Sequence, residues 1–254
     1  MSGKKTLSET MPREGLPVLR AAVAVAALAT VALLLGSFLY VRLAGAFLAR
    51  LDVNVGEVLM KEGVRFEEAG AFENAKERYR LALDARFEGP QNRAFTLKRL
   101  GALLWNEGQF EAALPFLKES AASPVAPVSV YEPLCDALFQ LKRYDDAVAV
   151  LSQWEQALGA GADAAAKADL LFHAGRIAAA RGDVPGAIAR FNEGKQLVPG
   201  GRNASELAHL YFTEKRYEEA IQSIDDYLRT GASGSRAEYA RNMREVALRR
   251  LKRE

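Results

Sequence analysis

The sequence predicts an all-α protein: a solenoid of about five helix pairs with a C-terminal capping helix, preceded by one transmembrane helix. Three observations predict this fold class. An uncharged apolar run lies near the N-terminus, apolar residues recur at helical spacing along the rest of the chain, and one short motif occurs five times. No segment alternates apolar and polar residues in the way that a half-buried strand requires.

The predicted transmembrane helix covers Ala21–Val41, which is 21 consecutive residues without a charge. At a rise of about 1.5 Å per residue, such a helix spans roughly 30 Å, the hydrocarbon thickness of a bilayer. Arg20 and Arg42 bracket the run, and Tyr40 lies at the depth where membrane interfaces favour aromatic rings. A buried core helix is seldom uncharged all round for this length. The lipid bilayer is therefore the predicted partner of Ala21–Val41.

A cleaved signal peptide is the alternative, because Ala44-Gly45-Ala46 has the small residues that signal peptidase needs. Against cleavage, the apolar run exceeds the usual length of about 7–15 residues, and Arg42 lies between the run and that site. The tail before the run has four basic residues, whereas the first fifteen residues after it have two. The positive-inside rule then predicts a cytoplasmic N-terminus and a translocated C-terminal domain. Usage rich in alanine and arginine suggests a bacterium, so the expected location is the inner membrane, with the helical domain in the periplasm.

One motif repeats after the apolar run: a turn, an aromatic residue or Val, an Ala three residues later and a bulky apolar residue four beyond it. Its copies are Phe72, Ala75 and Tyr79; Phe110, Ala113 and Leu117; Tyr144, Ala147 and Leu151; Val184, Ala187 and Phe191; and Tyr217, Ala220 and Ile224. Successive copies begin 38, 34, 40 and 33 residues apart. A second amphipathic stretch precedes each copy, over 58–69, 96–107, 130–141, 169–181 and 204–214. This period predicts stacked antiparallel helix pairs.

The repeats resemble the tetratricopeptide repeat (TPR), whose first helix carries a large residue, Leu-Gly and Tyr, and whose second carries Tyr, Ala, Tyr and Ala. The second repeat matches at Leu97, Leu100, Gly101, Leu104, Gly108, Phe110, Ala113 and Leu117, and the fourth at Gly175, Gly182, Ala187, Phe191 and Pro199. Two residues depart from the pattern: Glu62 stands where Leu is usual, and Cys135 stands where Gly is usual in repeat three. The resemblance covers about residues 56–232. It implies a concave groove, lined by the first helix of each pair, that binds proteins.

The groove positions can be carried over residue by residue. They are Phe95, Lys98, Trp105 and Asn106 in repeat two; Glu132, Asp136, Phe139 and Gln140 in repeat three; Asp169, Phe172 and Arg176 in repeat four; and His209 and Phe212 in repeat five. Several aromatic residues on one wet surface indicate an interaction site, whereas in a shifted register Phe95 and Phe172 would face the core. The paired lysines and asparagines with which the chaperone-docking subclass binds a terminal carboxylate are largely replaced by acidic or apolar residues. We therefore expect an apolar helix or an extended segment as the ligand.

The predicted organisation is a tail over 1–20, the transmembrane helix over 21–41, a linker over 42–55, the solenoid over 56–235 and a basic capping helix over 236–254. Ser129-x-x-Glu132 and Asn203-x-x-Glu206 have the spacing of capping boxes at helix starts. In the capping helix, one face is apolar and should cover the last repeat: Tyr239, Met243, Val246, Ala247 and Leu251. The other face is basic, and is either solvated or a contact for anionic lipid or an acidic partner.

Composition argues against several classes of function. A net charge of +2 at pH 7 gives no reason to expect nucleic-acid binding. A single cysteine, Cys135, excludes an intramolecular disulfide and a cysteine-based zinc site, and two histidines argue against a histidine-rich metal centre. No phosphate-binding glycine loop, zinc-binding histidine pair or serine-nucleophile motif occurs. We therefore expect that the protein is not an enzyme and that it has no catalytic residues, no cofactor and no bound metal.

Together these features predict a membrane-anchored scaffold or assembly factor that binds partner proteins through the groove. The alternative is a permanent accessory subunit of a membrane complex, with the anchor packed against other transmembrane helices. Small residues four apart would permit such packing, at Ala22 and Ala26 and at Ala32 and Gly36.

Overall fold

The computed structural model describes residues 16–252, with side chains at 26, 28, 30–40, 42, 43 and 55–252. These residues divide into two units, one ending at Val55 and the other beginning at Gly56. The first helix, α1, covers Leu16–Glu68 and so contains residues of both units. The first fifteen residues of the predicted tail lie outside the described residues.

The described backbone of the N-terminal unit is helical, including the residues expected to form a linker over 42–55. Its described large apolar side chains are exposed: Leu28, Val31, Leu33, Leu34, Leu35, Phe38, Leu39, Tyr40, Leu43 and Val55. The hydroxyls of Thr30 and Ser37 bond back to helix carbonyl oxygens at 2.7 and 2.9 Å. Across the described residues, none of the helices has the length and apolarity that crossing a bilayer requires. Within the predicted span, the side chains of residues 21–25, 27, 29 and 41 lie outside those described.

The second unit is built from helix pairs joined by short turns, and no residue between 16 and 252 lies in a strand. After α1 come α2 (Phe72–Asp84), α3 (Pro90–Asn106), α4 (Phe110–Ala121), α5 (Tyr131–Gln140), α6 (Tyr144–Leu158), α7 (Ala164–Ala180), α8 (Val184–Leu197), α9 (Arg202–Thr213), α10 (Tyr217–Arg229) and α11 (Gly234–Leu251). A 3₁₀ turn at Val128–Val130 precedes α5. The predicted all-α solenoid is confirmed.

The close crossing within a pair depends on a small residue of its first helix, which faces a large residue of the second. In three of the pairs the small residue is a glycine, and a Cβ atom added to it would lie 2.5–2.6 Å from the facing side chain. These pairs are Gly63 and Tyr79, Gly101 and Leu117, and Gly175 and Phe191. Cys135 and Ala208 hold the corresponding places in repeats three and five. The spacing that carried the resemblance is therefore a steric requirement, since a larger residue would force the helices apart.

The turn inside each pair also repeats one hydrogen-bond motif. An amide donates to the carbonyl oxygen five residues earlier at 2.8–2.9 Å, from Ala71, Gln109, Arg143, Asp183 and Arg216. The residue before that amide has a positive φ of 57–83°, at Gly70, Gly108, Lys142, Gly182 and Lys215. This pairing is the Schellman motif, in which a left-handed residue ends the helix. Two of the five left-handed positions are thus occupied by lysine, for which that conformation is strained.

Both predicted capping boxes are wrong. Helix α5 begins at Tyr131 and α9 at Arg202, and no side chain caps either start. Asn203 is buried instead, and its Nδ2 donates to the carbonyl oxygen of Ala168 at 2.7 Å. Its side chain therefore joins two repeats and is turned away from the helix start. Aspartates cap two other helices: Asp163 accepts from the amide of Ala166 at 2.7 Å, and Asp183 from that of Gly186 at 2.9 Å.

Helix α11 packs on α9 and α10 at the end of the second unit. Its buried face consists mainly of small residues: Ala237, Ala240, Met243 and Ala247. Tyr239 and Val246, which we expected on this face, are 56% and 39% exposed. Alanines let α11 approach its neighbours closely, and the helix is rotated so that they make the contact.

Candidate functional site

The candidate site is the surface formed by the first helices of consecutive pairs, α3, α5, α7 and α9, here called the groove. Within the second unit α3 contacts α5, α5 contacts α7, and α7 contacts α9. Comparable contacts between consecutive second helices are lacking among the described residues. The first helices are thus closer together than the second helices, which places them on the concave side of the solenoid.

Asp136 on α5 joins three helices at the centre of the groove. One carboxylate oxygen accepts from Nε1 of Trp105 on α3 at 2.9 Å, and the other from Nη1 of Arg176 on α7 at 2.7 Å. The residue is only 9% exposed. Burial opposes the charged form, but the hydrogen bonds from Trp105 and Arg176 outweigh it, so the pKa of Asp136 lies below its usual value. Asp136 therefore carries a charge and links α3 to α7 through its two carboxylate oxygens.

The charge of Arg176 is compensated from two sides. Besides its bond to Asp136, its guanidinium carbon lies 4.0 Å from the centre of the Phe139 ring and 5.3 Å from that of Phe172. A guanidinium over an aromatic face is stabilised by the ring quadrupole. Little of this charge remains for a ligand.

Arg202, the first residue of α9, joins the next part of the groove. Its Nη2 donates to Glu132 of α5 and to Asp169 of α7, each at 2.8 Å. Its guanidinium carbon lies 4.3 Å from the centre of the Phe172 ring. His173, whose Nε2 is 3.8 Å from Glu132, and Arg202 lower the pKa of Glu132 to about 2, against the opposing effect of burial. Trp105, Arg176 and Arg202 thus connect α3, α5, α7 and α9. This connected set, here called the ladder, consists of Trp105, Glu132, Asp136, Phe139, Asp169, Phe172, Arg176 and Arg202.

The structure brings most of the predicted residues of repeats two to four together in this ladder: Trp105, Glu132, Asp136, Phe139, Asp169, Phe172 and Arg176. Two of them, Asp136 and Phe172, are buried and are therefore not wet groove residues. Phe172 is only 7% exposed, because it packs in a core cluster with Phe191 and Leu207 while Arg176 and Arg202 cover its ring. This is the core-facing alternative that the sequence left open for Phe172. Trp105 and Phe139 are half-buried against the core, and the amides of Asn106 and Gln140 are exposed beside them.

The remaining predicted residues lie at the two ends of the groove. Phe95 is half-buried, with Nζ of Lys98 5.4 Å from the ring centre. Burial, reinforced by the neighbouring Arg99, lowers the pKa of Lys98. At the other end, His209 lies beside Tyr239 of α11, with ring centres 6.3 Å apart. Phe212 packs against the last core cluster and against Tyr217, at 5.8 Å.

One residue of this surface, Arg202, was not among the predicted groove positions. Arg202 stands six residues before the small crossing residue Ala208, which is the register position of Phe95 and Asp169 in their repeats. Extending the repeat alignment by that position would have found it. Tyr239, which we predicted on the packing face of the capping helix, lies instead beside His209 at the end of the groove. The repeat alignment gave no signal for this placement, because the capping helix lies outside the repeat.

The described residues include neither a cluster of metal ligands nor an exposed thiol. Between residues 55 and 252, no three His, Cys, Asp or Glu side chains are grouped as metal ligands would be. The thiol of Cys135 is buried, and burial raises its pKa to about 12. The charged groups of the ladder pair with one another. Beside them lie the half-buried rings of Trp105 and Phe139 and the exposed amides of Asn106 and Gln140.

Comparisons with known proteins bear on the fold. No family model matches the chain, and no curated protein matches it. Among solved structures, the chain is similar to MamA (residues 41 to the end) from Desulfovibrio magneticus RS-1, with 16% identity, 71% of this chain and 98% of that chain covered, and a TM-score of 0.59. It is also similar to PilF of Pseudomonas aeruginosa, at 20% identity, 79% and 91% coverage and a TM-score of 0.57.

A third similar structure is TTC0263, a thermophilic TPR protein of Thermus thermophilus, at 22% identity, 76% and 98% coverage and a TM-score of 0.56. At these identities the likeness shows the fold alone. It supports the TPR-type solenoid that the repeats predicted. It gives no evidence for the predicted transmembrane anchor.

Proposed function

We propose that this chain is a membrane-anchored scaffold or assembly factor that binds partner proteins in the groove. The observation that carries the proposal is the ladder of Trp105, Asp136, Arg176 and Arg202, which ties four first helices into one fixed concave surface. A preformed surface binds a segment at low entropic cost, because its own side chains are already ordered. We propose no catalytic role.

The chemistry of the groove favours an uncharged segment as its ligand. Arg176 and Arg202 are neutralised by carboxylates within the ladder, so a charged ligand would compete with existing ion pairs. The half-buried rings of Trp105 and Phe139 offer apolar contact area. Exposed amides at Asn106 and Gln140 are available for the polar groups of a ligand backbone. An apolar helix or extended segment satisfies both requirements.

The membrane part of the proposal rests on the uncharged run Ala21–Val41 and on the exposure of the apolar side chains described there. In water such a surface would be an aggregation hazard, whereas in a bilayer it is the favoured one. We propose that this run crosses the inner membrane of a bacterium once, with the N-terminus in the cytoplasm and the solenoid in the periplasm, following the positive-inside rule.

A permanent accessory subunit of a membrane complex is the second candidate. One observation favours it: apolar side chains are exposed on successive turns of α1, including Leu28, Leu35 and Leu39. Other transmembrane helices could pack against these side chains. A subunit purified in mild detergent carries its partners in fixed stoichiometry. A scaffold or assembly factor instead carries several proteins in substoichiometric amounts.

The test of groove binding is capture of partners from native membranes by the tagged full chain, followed by mass spectrometry. Asn106→Lys with Gln140→Lys places two charges on exposed positions of the groove without touching the core. The matched control is Gln153→Lys with Gln156→Lys, two exposed positions on α6. We expect the groove pair to lose the partners that the wild-type and control proteins capture. Equal capture by all three proteins contradicts groove binding.

A further inference from the structure

We propose that a cavity at the end of the groove receives one aromatic side chain of the bound segment. This cavity, here called the notch, has a volume of about 260 Å³ and lies between α9 and α11. It is lined mainly by Glu206 and His209 of α9 and by Arg236, Tyr239, Ala240 and Met243 of α11. The inference rests on the proposed function, since it assumes a segment in the groove, and it specifies one residue type of that segment.

The notch continues the groove because α11 takes the next place in the row of first helices. Helix α9 contacts both α7 and α11. His209 is a groove position of α9, and Arg236, Tyr239 and Met243 recur on α11 at the spacing of one helix face. A segment that lies across α7 and α9 therefore reaches the mouth of the notch.

The interior of the notch matches an aromatic ring in size and in chemistry. Sites that hold whole small molecules usually have about 300–1,000 Å³, so a cavity of 260 Å³ suits a single side chain. Its walls include the rings of His209 and Tyr239, whose centres are 6.3 Å apart, and Ala240 and Met243 are its buried residues. An aromatic ring gains from neighbouring rings and from a thioether, and an aliphatic side chain lacks both gains.

The charged groups of the notch suit the backbone on either side of the inserted ring. The carboxylate of Glu206 can accept from a backbone amide, and the guanidinium of Arg236 can donate to a carbonyl oxygen. Among the described residues neither group makes an ion pair or a side-chain hydrogen bond, whereas Arg244 on the same helix pairs with Asp225 at 2.6 Å. Arg236 can also stack on the ring itself. One acceptor, one donor and an aromatic interior complement a peptide, whereas a free hydrophobic molecule would leave both charges unused.

The first test titrates the notch with N-acetyl-phenylalaninamide, which carries an aromatic side chain between two amides. The full chain, isotope-labelled at the methionine methyl groups, is held in nanodiscs and observed by NMR. Met243 lines the notch, and Met60, buried in the first repeat, is the internal control. The ring current of the probe should shift the Met243 methyl resonance and not that of Met60, saturating near about 1 mM for a ligand of this size. Excess N-acetyl-leucinamide should not reverse the shift.

Variants of the notch identify the side chains responsible. Tyr239→Ala and His209→Ala each remove an exposed ring and should abolish the shift, whereas Tyr239→Phe keeps the ring and should retain it. Arg236→Gln should weaken binding several-fold, whereas Arg241→Gln, at an exposed position of α11 outside the notch, should not. The proposal is overturned if Met243 shows no saturable shift, if Tyr239→Ala responds like the wild type, or if the leucine amide displaces the probe.

Capture from native membranes separates this inference from the proposed function. Partners that the wild-type chain captures should be lost from Tyr239→Ala and kept by Tyr239→Phe. Partners that are lost from Asn106→Lys with Gln140→Lys but kept by Tyr239→Ala would show that the groove binds without the notch, which overturns the inference alone. If the groove pair captures as well as the wild type, the proposed function fails, and the probe titration still reports on the notch.

Discussion

Arg202 donates from one guanidinium nitrogen to Glu132, 70 residues earlier in the sequence, at 2.8 Å. The same nitrogen also reaches Asp169, so one side chain holds the first helices of three consecutive repeats. Each repeat of a solenoid contacts mainly its neighbours, and a contact that skips a repeat is therefore a direct constraint on curvature. The groove depends on that curvature for its shape.

Replacing Arg202 with Met should destabilise the solenoid. The methionine keeps the apolar stem but leaves Glu132 and Asp169 without their cation. Since these groups are partly exposed, we expect a loss of about 1–2 kcal/mol in the free energy of unfolding, measured by denaturant titration. Arg181→Met is the control, because Arg181 makes only an exposed pair with Asp145 and should cost less than about 0.5 kcal/mol. Equal losses for the two variants would show that the cross-repeat contact carries no stability.

Glu132 should make the stability depend on acid pH. Its pKa is lowered from 4.5 to about 2 in the folded protein, so the charged carboxylate stabilises the fold above its unfolded pKa. That contribution is lost as the pH falls from about 5 towards 2. At pH 6, the free energy of unfolding of the wild type should exceed that of Glu132→Gln by about 1–2 kcal/mol, because solvent screens the partly exposed carboxylate. The difference should shrink towards zero near pH 2; a difference independent of pH contradicts the assignment.

Exchanging residues at the left-handed turn positions should change stability in opposite directions. Lys142 has a φ of 57°, a conformation that costs a residue with a Cβ atom about 1 kcal/mol, so Lys142→Gly should be neutral or stabilising by up to that amount. Gly108 has a φ of 74°, and Gly108→Ala should destabilise by about 1 kcal/mol. Melting temperatures of the two variants measure this. A stabilising Gly108→Ala would show that the turn differs from the Schellman motif.

The proposed topology predicts a protease result. In sealed spheroplasts, added protease should digest the solenoid, for example at the exposed turn around Gly159–Gly161, and should spare a tag at the N-terminus. Permeabilised spheroplasts, in which both parts become accessible, provide the control. Complete protection of the solenoid in sealed spheroplasts would reverse the proposed orientation.

The repeat register could be predicted from the sequence because it is set by a steric requirement within each helix pair, namely a small residue where the two helices cross. Gly63, Gly101 and Gly175 each face a large residue of the second helix, and the same spacing recurs wherever the helices cross. The crossing of each pair needs only local information. This explains why the predicted helix pairs match the observed ones.

Contacts between repeats were less predictable, because they depend on how one pair is rotated against the next. Asn203 fits the spacing of a helix cap, yet it reaches the carbonyl oxygen of Ala168 in the preceding repeat. Phe172 occupies a groove position, yet Arg202 from the following repeat covers its ring. Tyr239 is exposed because alanines, and not the largest apolar residues, form the contact face of α11. In each case the deciding neighbour lies outside the repeat.

Site-specific photocrosslinking in living cells tests the central claim most directly. A photoreactive residue at position 106, in the groove, is compared with one at position 153, on the exposed side of α6. We predict discrete crosslinked partner proteins from position 106 that are absent from position 153 and are lost in the Gln140→Lys background. Crosslinks from position 153 alone, or equal products from both positions, would contradict groove binding.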